Sequence, residues 1–200
     1  RYRLVEAKWR RTYAAKATAV VVDSRSPTLD AAERELRRGI SGLLGTSPGT
    51  RLKDGAIVLS TRQLSGASEG YCIRSTDIDG HRVTVISGNR DIGVLYGAFE
   101  LLRLIQTRTL PARVDVCDSP KIPIRVLDHW DNLDGTIERG YAGRSLWNWE
   151  RLPTIDPRLI DYARANASIG INGAVLNNVN ADARILTPEY LRKVAAIADA

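Results

Sequence analysis

The segment that decides the fold of this chain runs from Arg125 to Tyr141 and reads RVLDHWDNLDGTIERGY. Its apolar, β-branched beginning predicts a short strand over Ile124–Leu127. That strand is followed at once by carboxylates, an imidazole, an indole, an amide and two glycines. A strand that ends in such a polar cluster is typical of the rim of an active site on an α/β scaffold.

The same arrangement is repeated in the rest of the second half of the chain. Apolar spacing predicts a helix over Pro157–Ser168, and a buried strand over Ala174–Leu176 then ends in a run of asparagines. Thr187 is expected to cap a further helix that begins at the following proline. Parallel strands need cover on both faces and neighbours on both sides, which two strands do not provide. We therefore expect residues 119–200 to be part of a larger barrel or doubly wound domain. The long loops after the strands favour the first two β/α units of a truncated (β/α)8 barrel.

The first half of the chain predicts a separate domain, an α+β sandwich over residues 1–118 in which helices cover a small sheet. The predicted elements, in chain order, are a strand over 18–23, a helix capped by Thr28 and ended by Gly45, a strand over Ala56–Ser60, a hairpin of Tyr71–Thr76 and Arg82–Ser87 around Asp79-Gly80, and a helix over Asp91–Gln106. Gly93 and Gly97 are expected to let the last helix lie close to the sheet. The proline-marked segment 118–123 predicts the boundary between the two domains.

Composition excludes several classes of protein. With 44% hydrophobic and 26% charged residues, the chain is expected to be globular rather than disordered or fibrous. No apolar run approaches the ~20 residues that span a bilayer, so no membrane segment is expected. The net charge is +6, and the basic residues are interleaved with acidic ones. No run of like charges reaches the length that is typical of a nucleic-acid tail.

Cys72 and Cys117 form no motif, because the first lies in a predicted strand and the second in a predicted linker. Two such isolated residues predict free thiols, neither a disulfide framework nor a metal site. Neither these cysteines nor the N-terminal residues assign a cellular compartment.

Trp130 leaves the first predicted strand directly into the polar loop, where an indole suits stacking on a sugar ring, although packing at the barrel mouth is the alternative. Glycosidases need two carboxylates on opposite sides of the bond that they cleave, and the four acids of this loop are too local to provide such a pair. Glu138 is the best candidate for a contact with a hydroxyl group. Its neighbour Arg139 is expected to hold that carboxylate in place and keep it ionised.

The asparagines after the second strand are Asn177, Asn178 and Asn180, whose amides either bind sugar hydroxyls or cap the loop. Val179 between them points either into the pocket or into the core. Of the two tryptophans at 147 and 149, one is expected to pack and one to line the cleft.

A metal site is the further alternative for the polar loop, with Asp128, His129 and Asp131 as ligands. A second histidine and the spacing of a known metal motif are missing, so we expect no metal. His81 is expected to be a surface residue beside a turn.

Several segments together carry a resemblance to a known family: His129–Gly135, Glu138–Gly143, Ser168–Gly173 and Asn177–Ala181, with Gly93–Phe99 in the first half. They resemble glycoside hydrolase family 67, the xylan α-glucuronidases. The resemblance implies an inverting enzyme without a cofactor, which releases 4-O-methyl-D-glucuronic acid from oligosaccharides derived from glucuronoxylan. It also implies an α/β N-domain, a (β/α)8 barrel and a helical C-terminal region through which the full-length protein forms a homodimer.

Carried over by position, the resemblance implies that Trp130 and Val179 line the pocket for the uronic acid and its O-methyl group. Glu138 accepts a hydrogen bond from a ring hydroxyl, and Arg139 and Asn178 complete the expected substrate-binding set. The general acid and base of the family lie on later strands, so no catalytic residue is expected in this chain. The alternatives are a non-catalytic carbohydrate-binding or scaffold domain and another, metal-dependent barrel glycosidase.

Overall fold

The computed structural model describes residues 2–177 and 179–200, which form two compact units. The first unit ends at Lys121 and the second runs from Ile122 to Ala200. Both combine helices with strands, so the chain belongs to the mixed α/β class, as predicted. None of the helices in the described ranges is both long enough and apolar enough to cross a lipid bilayer.

The first unit is a five-stranded mixed sheet with helices. Its elements are α1 (Ala7–Ala14), β1 (Ala19–Val22), α2 (Pro27–Leu44), β2 (Ala56–Thr61), β3 (Tyr71–Ile78), β4 (His81–Gly88), α3 (Asp91–Gln106) and β5 (Asp115–Asp118). The strand order is β1-β2-β4-β3-β5, with β1, β2 and β4 parallel and β3 antiparallel to both of its neighbours. The predicted hairpin is confirmed as β3 and β4, whereas α1 and β5 were not predicted.

Helix α2 shows how its local sequence sets both of its ends. Its apolar residues recur at intervals of three, four or seven, and that stripe is buried in the core. The hydroxyl oxygen of Ser26 caps the helix by accepting from the Leu29 amide at 3.1 Å, so the prediction of Thr28 as the cap is wrong. Pro27 suits the first helical position because its φ is fixed and it has no N–H, which moves the cap one residue before it. Gly45 ends the helix in a left-handed conformation, as predicted.

Helix α3 approaches the sheet closely because of two glycines. A Cβ atom on Gly97 would lie 2.6 Å from Ile86 Cγ2 of β4, and one on Gly93 would collide with the carbonyl oxygen of Gly70. The prediction that these glycines let the helix lie close to the sheet is confirmed.

A disulfide joins Cys72 and Cys117, so the prediction of two free thiols is wrong. Cys117 lies in β5, which pairs with β3 and places the two cysteines directly opposite each other, with their Cα atoms 4.0 Å apart. Strand β5 is short, largely exposed and rich in aspartate, so its sequence pattern gives little indication of a strand. Without that strand there was no reason to bring the two thiols together.

The second unit contains a small parallel sheet and a long loop region. Its elements are β6 (Val126–Asp128), α4 (Pro157–Ser168), β7 (Gly173–Val175), a 3₁₀ helix (Ala183–Leu186) and α5 (Pro188–Asp199). Strands β6 and β7 are parallel, with Leu127 opposite Ala174. The second strand thus begins one residue earlier than predicted, and the larger barrel stays a prediction.

The core of the second unit is built around the two tryptophans that follow the polar loop. Trp147 and Trp149 are each 2% exposed and are buried together with Leu152 and Leu159. Both indoles pack among apolar neighbours from α4 and α5. Both also border a cleft of the second unit, so the expectation that one packs while the other lines the cleft holds only in part.

Candidate functional site

The polar segments that follow β6 and β7 lie side by side. Parallel strands end at the same edge of a sheet, so the chain leaves both strands in the same direction. The amide of His129 donates to the carbonyl of Val175 at 2.9 Å, and the side-chain amide of Asn177 donates to the Asp131 carbonyl at 3.4 Å. The structure thus brings together two segments that the sequence placed at the ends of separate strands.

Residues 130–138 form a tight reversal of the chain, which we call the hook. An antiparallel bridge pairs Asp131 with Ile137, and the amide of Glu138 donates to the carbonyl of Trp130 at 2.8 Å. Trp130 and Glu138 are therefore neighbours across the hook, although eight positions separate them in the sequence. The sequence alone did not reveal that the backbones of these two residues are hydrogen-bonded.

The tip of the hook is a turn that Asn132 and Asp134 stabilise. The Asn132 side chain donates to the Thr136 hydroxyl at 3.0 Å and to the carbonyl of Glu138 at 2.8 Å. Asp134 accepts from the hydroxyl and the amide of Thr136, and these bonds hold the pKa of its carboxyl group below the ordinary value. Asp134 is therefore ionised at neutral pH and is poorly suited to be a general acid.

Glu138 has an unusual backbone conformation at the base of the hook. Its φ is +58°, in the left-handed region that residues other than glycine rarely adopt. Such conformations are found disproportionately at functional sites. Glu138 is half-buried, whereas Arg139 is exposed, and the structure, which describes both side chains, shows no ion pair between them. The expected pairing of this arginine with the Glu138 carboxylate is thus not formed.

Trp130 presents part of its indole ring to solvent at the end of β6. The side chain is 41% exposed, and its N–H donates to the Asp128 carboxylate at 3.3 Å. Val179, in the segment after β7, is 82% exposed. Asn178, the remaining residue of the predicted set, lies outside the described residues.

His129 packs among aromatic rings. Its Nε2 atom lies 2.6 Å from the Tyr162 hydroxyl oxygen, and its ring meets those of Tyr162 and Trp147 edge-on. These contacts give the imidazole a structural role that needs no ion. The described residues contain no group of three or more potential metal-binding side chains of His, Cys, Asp or Glu.

Asp131 is one of the four acids of the polar loop, and the sequence offered no reason to treat it differently from Asp128 or Asp134. It is only 2% exposed, and its Oδ2 accepts from the Ser145 hydroxyl at 2.5 Å. The oxygen of that hydroxyl in turn accepts from the amide of Trp147 at 2.9 Å. No sequence signal points to this connection, because serine at 145 is separated from the hook by a glycine-rich stretch without periodicity.

A cleft of about 350 Å³ lies beside the tip of the hook. It is bordered by the two core tryptophans, Trp147 and Trp149, and by charged and amide side chains, including those of Arg144, Asn148, Glu150 and Arg158. Trp130 and Glu138 do not line it, so the cleft and the exposed face of the indole are separate features of the second unit.

Comparison with known proteins gives matches over nearly the whole chain. The model of the glycosyl hydrolase family 67 N-terminus matches residues 1–101, and that of the family 67 middle domain matches residues 104–200. The two matches meet within α3, ahead of the structural division after Lys121.

Curated relatives include a probable alpha-glucuronidase A of Aspergillus terreus, which is 35% identical over 187 residues. That match covers 86% of this chain and 22% of the relative. Alpha-glucuronidase A of Aspergillus tubingensis is 41% identical over 133 residues, which cover 66% of this chain and 15% of the relative. The chain thus spans less than a quarter of the length of these proteins.

Two solved structures share the fold. A GH138 enzyme targeting pectin rhamnogalacturonan II has a TM-score of 0.58 at 19% identity, over 80% of this chain and 18% of its own. A family GH115 4-O-methyl-α-glucuronidase with specificity for decorated arabinogalactans has a TM-score of 0.52 at 16% identity, over 78% of this chain and 25% of its own.

Proposed function

The chain belongs to glycosyl hydrolase family 67, and we propose that it is the N-terminal part of an inverting xylan α-glucuronidase. The proposed enzyme releases 4-O-methyl-D-glucuronic acid from oligosaccharides derived from glucuronoxylan, and it acts as a homodimer. The names of the Aspergillus relatives and the resemblance of the hook segment to the family support this activity.

The observation that carries the proposal is the backbone hydrogen bond that pairs Trp130 with Glu138 across the hook, in the segment that leaves the C-terminal end of β6 beside that of β7. A pyranose ring has an apolar C–H face and a rim of hydroxyl groups. A partly exposed indole suits the first, and a carboxylate that accepts hydrogen bonds suits the second. We therefore assign to Trp130 both stacking on the ring and, together with Val179, part of the pocket for the O-methyl group, and we assign a hydroxyl contact to Glu138.

The remaining contacts with substrate are assigned to the segment after β7 and to the residue that follows the hook. Val179 provides an exposed apolar surface, which suits the O-methyl group of the uronic acid. Asn178 is proposed to bind hydroxyl groups through its amide. Arg139, exposed and not paired with its neighbouring glutamate, is proposed to bind substrate directly.

We further propose that residues 119–200 begin the catalytic barrel and that residues 1–118 are the accessory N-domain. Strands β6 and β7 are parallel, yet Val126 and Val175 on them are 44% and 46% exposed, and Ile124 before them is 74% exposed. Parallel sheets are normally covered on both faces. Further β/α units of the full-length enzyme would provide that cover.

The proton transfers are assigned to residues outside this chain. An inverting glycosidase needs an acid and a base about 6.5–9.5 Å apart, on opposite faces of the sugar. Asp131 is buried and Asp134 belongs to a turn, so the hook does not offer such a pair. The hook contributes orientation and shape to the reaction, and the two catalytic carboxylates lie elsewhere in the enzyme.

The test is the kinetics of the full-length enzyme on aldouronic oligosaccharides, with the released uronic acid and its anomeric form followed by NMR. Trp130→Ala should lower kcat/KM roughly tenfold to a hundredfold, because losing about 1.5–3 kcal/mol of aromatic contact has that effect. Its melting temperature should change little, since the indole is already 41% exposed. Leu186→Ala, at a residue that is 73% exposed and outside the site, is the matched control and should leave kcat/KM unchanged.

Unchanged kinetics in Trp130→Ala would end the assignment of this residue. A full-length protein that binds the oligosaccharide but never cleaves it would instead make the protein a carbohydrate-binding module.

A further inference from the structure

We propose that Asp131 is a positioning residue, which acts through the Ser145 hydroxyl to hold the hook in the shape that presents Trp130 and Glu138 to the sugar. This inference rests on the proposed function of the hook. It assigns a role to a carboxylate that touches no substrate.

The burial of Asp131 separates it from the other acids of the hook. Its side chain is 2% exposed, although it lies between the partly exposed Trp130 and a solvated turn. Removing a carboxylate from water is costly unless hydrogen bonds compensate. The Ser145 hydroxyl provides such a bond at 2.5 Å. A group held in this way is shielded from a sugar in solution, which argues against direct proton transfer.

The Ser145 hydroxyl connects Asp131 to the buried aromatic core of the second unit. Its oxygen accepts from the amide of Trp147, whose side chain is 2% exposed and packs edge-on against His129 and Tyr162. The base of the hook is thereby fixed to the aromatic core.

The tip of the hook is fastened to the same segment. The amide of Ser145 donates to the carbonyl of Gly135 at 3.0 Å, and an antiparallel bridge pairs Thr136 with Arg144. The hook is therefore held at both ends by residues 144–147. Because Trp130 immediately precedes Asp131, a change in the Asp131–Ser145 contact moves the indole directly.

The consequence for the reaction follows from the geometry. Displacing a contact with substrate by about 1 Å costs up to roughly a hundredfold in rate. Loss of the acceptor at Asp131 should therefore reduce activity through misplacement of Trp130 and Glu138, whereas loss of its charge alone should matter little.

The experiment uses the full-length enzyme and two substrates, aldouronic oligosaccharides with and without the 4-O-methyl group on the uronic acid. The measured quantity is the ratio of the two kcat/KM values, which does not depend on the fraction of enzyme that is folded. Asp131→Ala should lower kcat/KM for the methylated substrate about tenfold or more and should change the ratio. Asp131→Asn keeps an acceptor oxygen in place and should stay within about threefold of the parent enzyme.

Ser145→Ala removes the hydroxyl that donates to the Asp131 carboxylate. It should change the ratio of the two kcat/KM values in the same direction as Asp131→Ala. This variant keeps the test decisive if Asp131→Ala does not fold. In the background of Trp130→Ala, neither substitution should change the ratio further, because residues that act through one contact are not additive.

Different outcomes separate the two proposals. If Trp130→Ala changes the ratio but Asp131→Ala and Ser145→Ala do not, positioning by Asp131 is wrong while the function of the hook stands. An Asp131→Asn enzyme as inactive as Asp131→Ala would show that the charge itself is required and would overturn the positioning role. If Trp130→Ala leaves both substrates unaffected, the proposed function fails, and the positioning role fails with it.

Discussion

The two units differ in how completely they bury their apolar residues. Among the described residues, all but four of the buried apolar side chains lie in the first unit, and the four exceptions are Trp147, Trp149, Leu152 and Leu159. Conversely, Leu4 is the only large exposed apolar residue in the part of the first unit that the structure describes, whereas many lie in the second unit. Alternation of strands and helices therefore yields a closed core only where each strand finds neighbours and cover.

The reason lies in the number of strands that each unit provides. In the first unit five strands pair in one sheet, and α2 and α3 pack against each other and on the sheet. In the second unit only two short strands pair, and the long segment between β6 and α4 forms the hook and the tryptophan core. The first unit thus buries most of its apolar residues, whereas the second leaves exposed several of the side chains to which we assign contacts with substrate.

The largest expected change in stability comes from truncating a buried leucine of the first unit, and it is compared with the same truncation in the second unit. Leu102→Ala, at a helical residue that is 1% exposed, should lower the free energy of unfolding by about 2–5 kcal/mol, because it leaves a cavity in the core. Leu191→Ala, also in a helix but 50% exposed, should cost less than about 1 kcal/mol. Urea denaturation of both variants gives the two values, and equal losses would break the comparison.

The disulfide should account for a somewhat smaller effect that is confined to the first unit. It closes a loop with a sequence separation of 45 and attaches the edge strand β5 to β3. Replacing both Cys72 and Cys117 by alanine should lower the unfolding free energy of this unit by about 2–4 kcal/mol, mainly by freeing the unfolded chain. Thermal denaturation with and without dithiothreitol provides the check, since reductant should lower the midpoint of the parent chain and leave the double variant unchanged. A midpoint indifferent to reductant would contradict this.

The smallest effect concerns Asp91, which joins three elements of the first unit. Its carboxylate accepts a hydrogen bond from the Ser26 hydroxyl at 2.5 Å and one from the Thr61 hydroxyl at 2.6 Å. These two bonds, of which the one from Ser26 has the larger effect, lower the pKa of Asp91 from its ordinary 3.8. Asp91→Asn should therefore cost about 1–2 kcal/mol at pH 7. A lowered pKa in the folded state contributes stability above pH 3.8, and this is lost as the pH falls through the folded value.

Denaturation midpoints of the parent chain and of Asp91→Asn, measured at pH 7 and at pH 3, give the difference in stability between the two proteins at each pH. The matched control is Asp156→Asn, because Asp156 caps α4 and bonds only to the first turn of its own helix, through Arg158. Its effect should be smaller than that of Asp91→Asn. A larger effect at Asp156, or a difference at Asp91 that is as large at pH 3 as at pH 7, would refute the role given to Asp91.

Helices and hairpins with strong local patterns were predictable from the sequence. The apolar stripes of α2, α3 and α4 and the turn pair Asp79-Gly80 each act within a few residues, so their elements were found with nearly correct ends. Helix α1 was missed because its short, basic sequence has a low hydrophobicity, and β5 was missed because it is an exposed edge strand.

The candidate site was predictable in its composition but not in its internal connections. Trp130 and Glu138 were named because their residue types suit a sugar, and the structure places them next to each other. The expected pairing of Glu138 with Arg139 did not form, and the buried role of Asp131 was not foreseen. Both depend on the path of the loop, which no periodicity describes.

The α-helices from α2 onward, most of the strands and the family of this chain could be read from the sequence, because each is encoded in short-range patterns or in continuous motifs. The contact of Cys72 with Cys117 and the burial of Asp131 against Ser145 became visible only in the folded chain. The physical reason is the same in both cases. Which side chains meet depends on which distant segments lie side by side, and that is fixed by the packing of the whole unit.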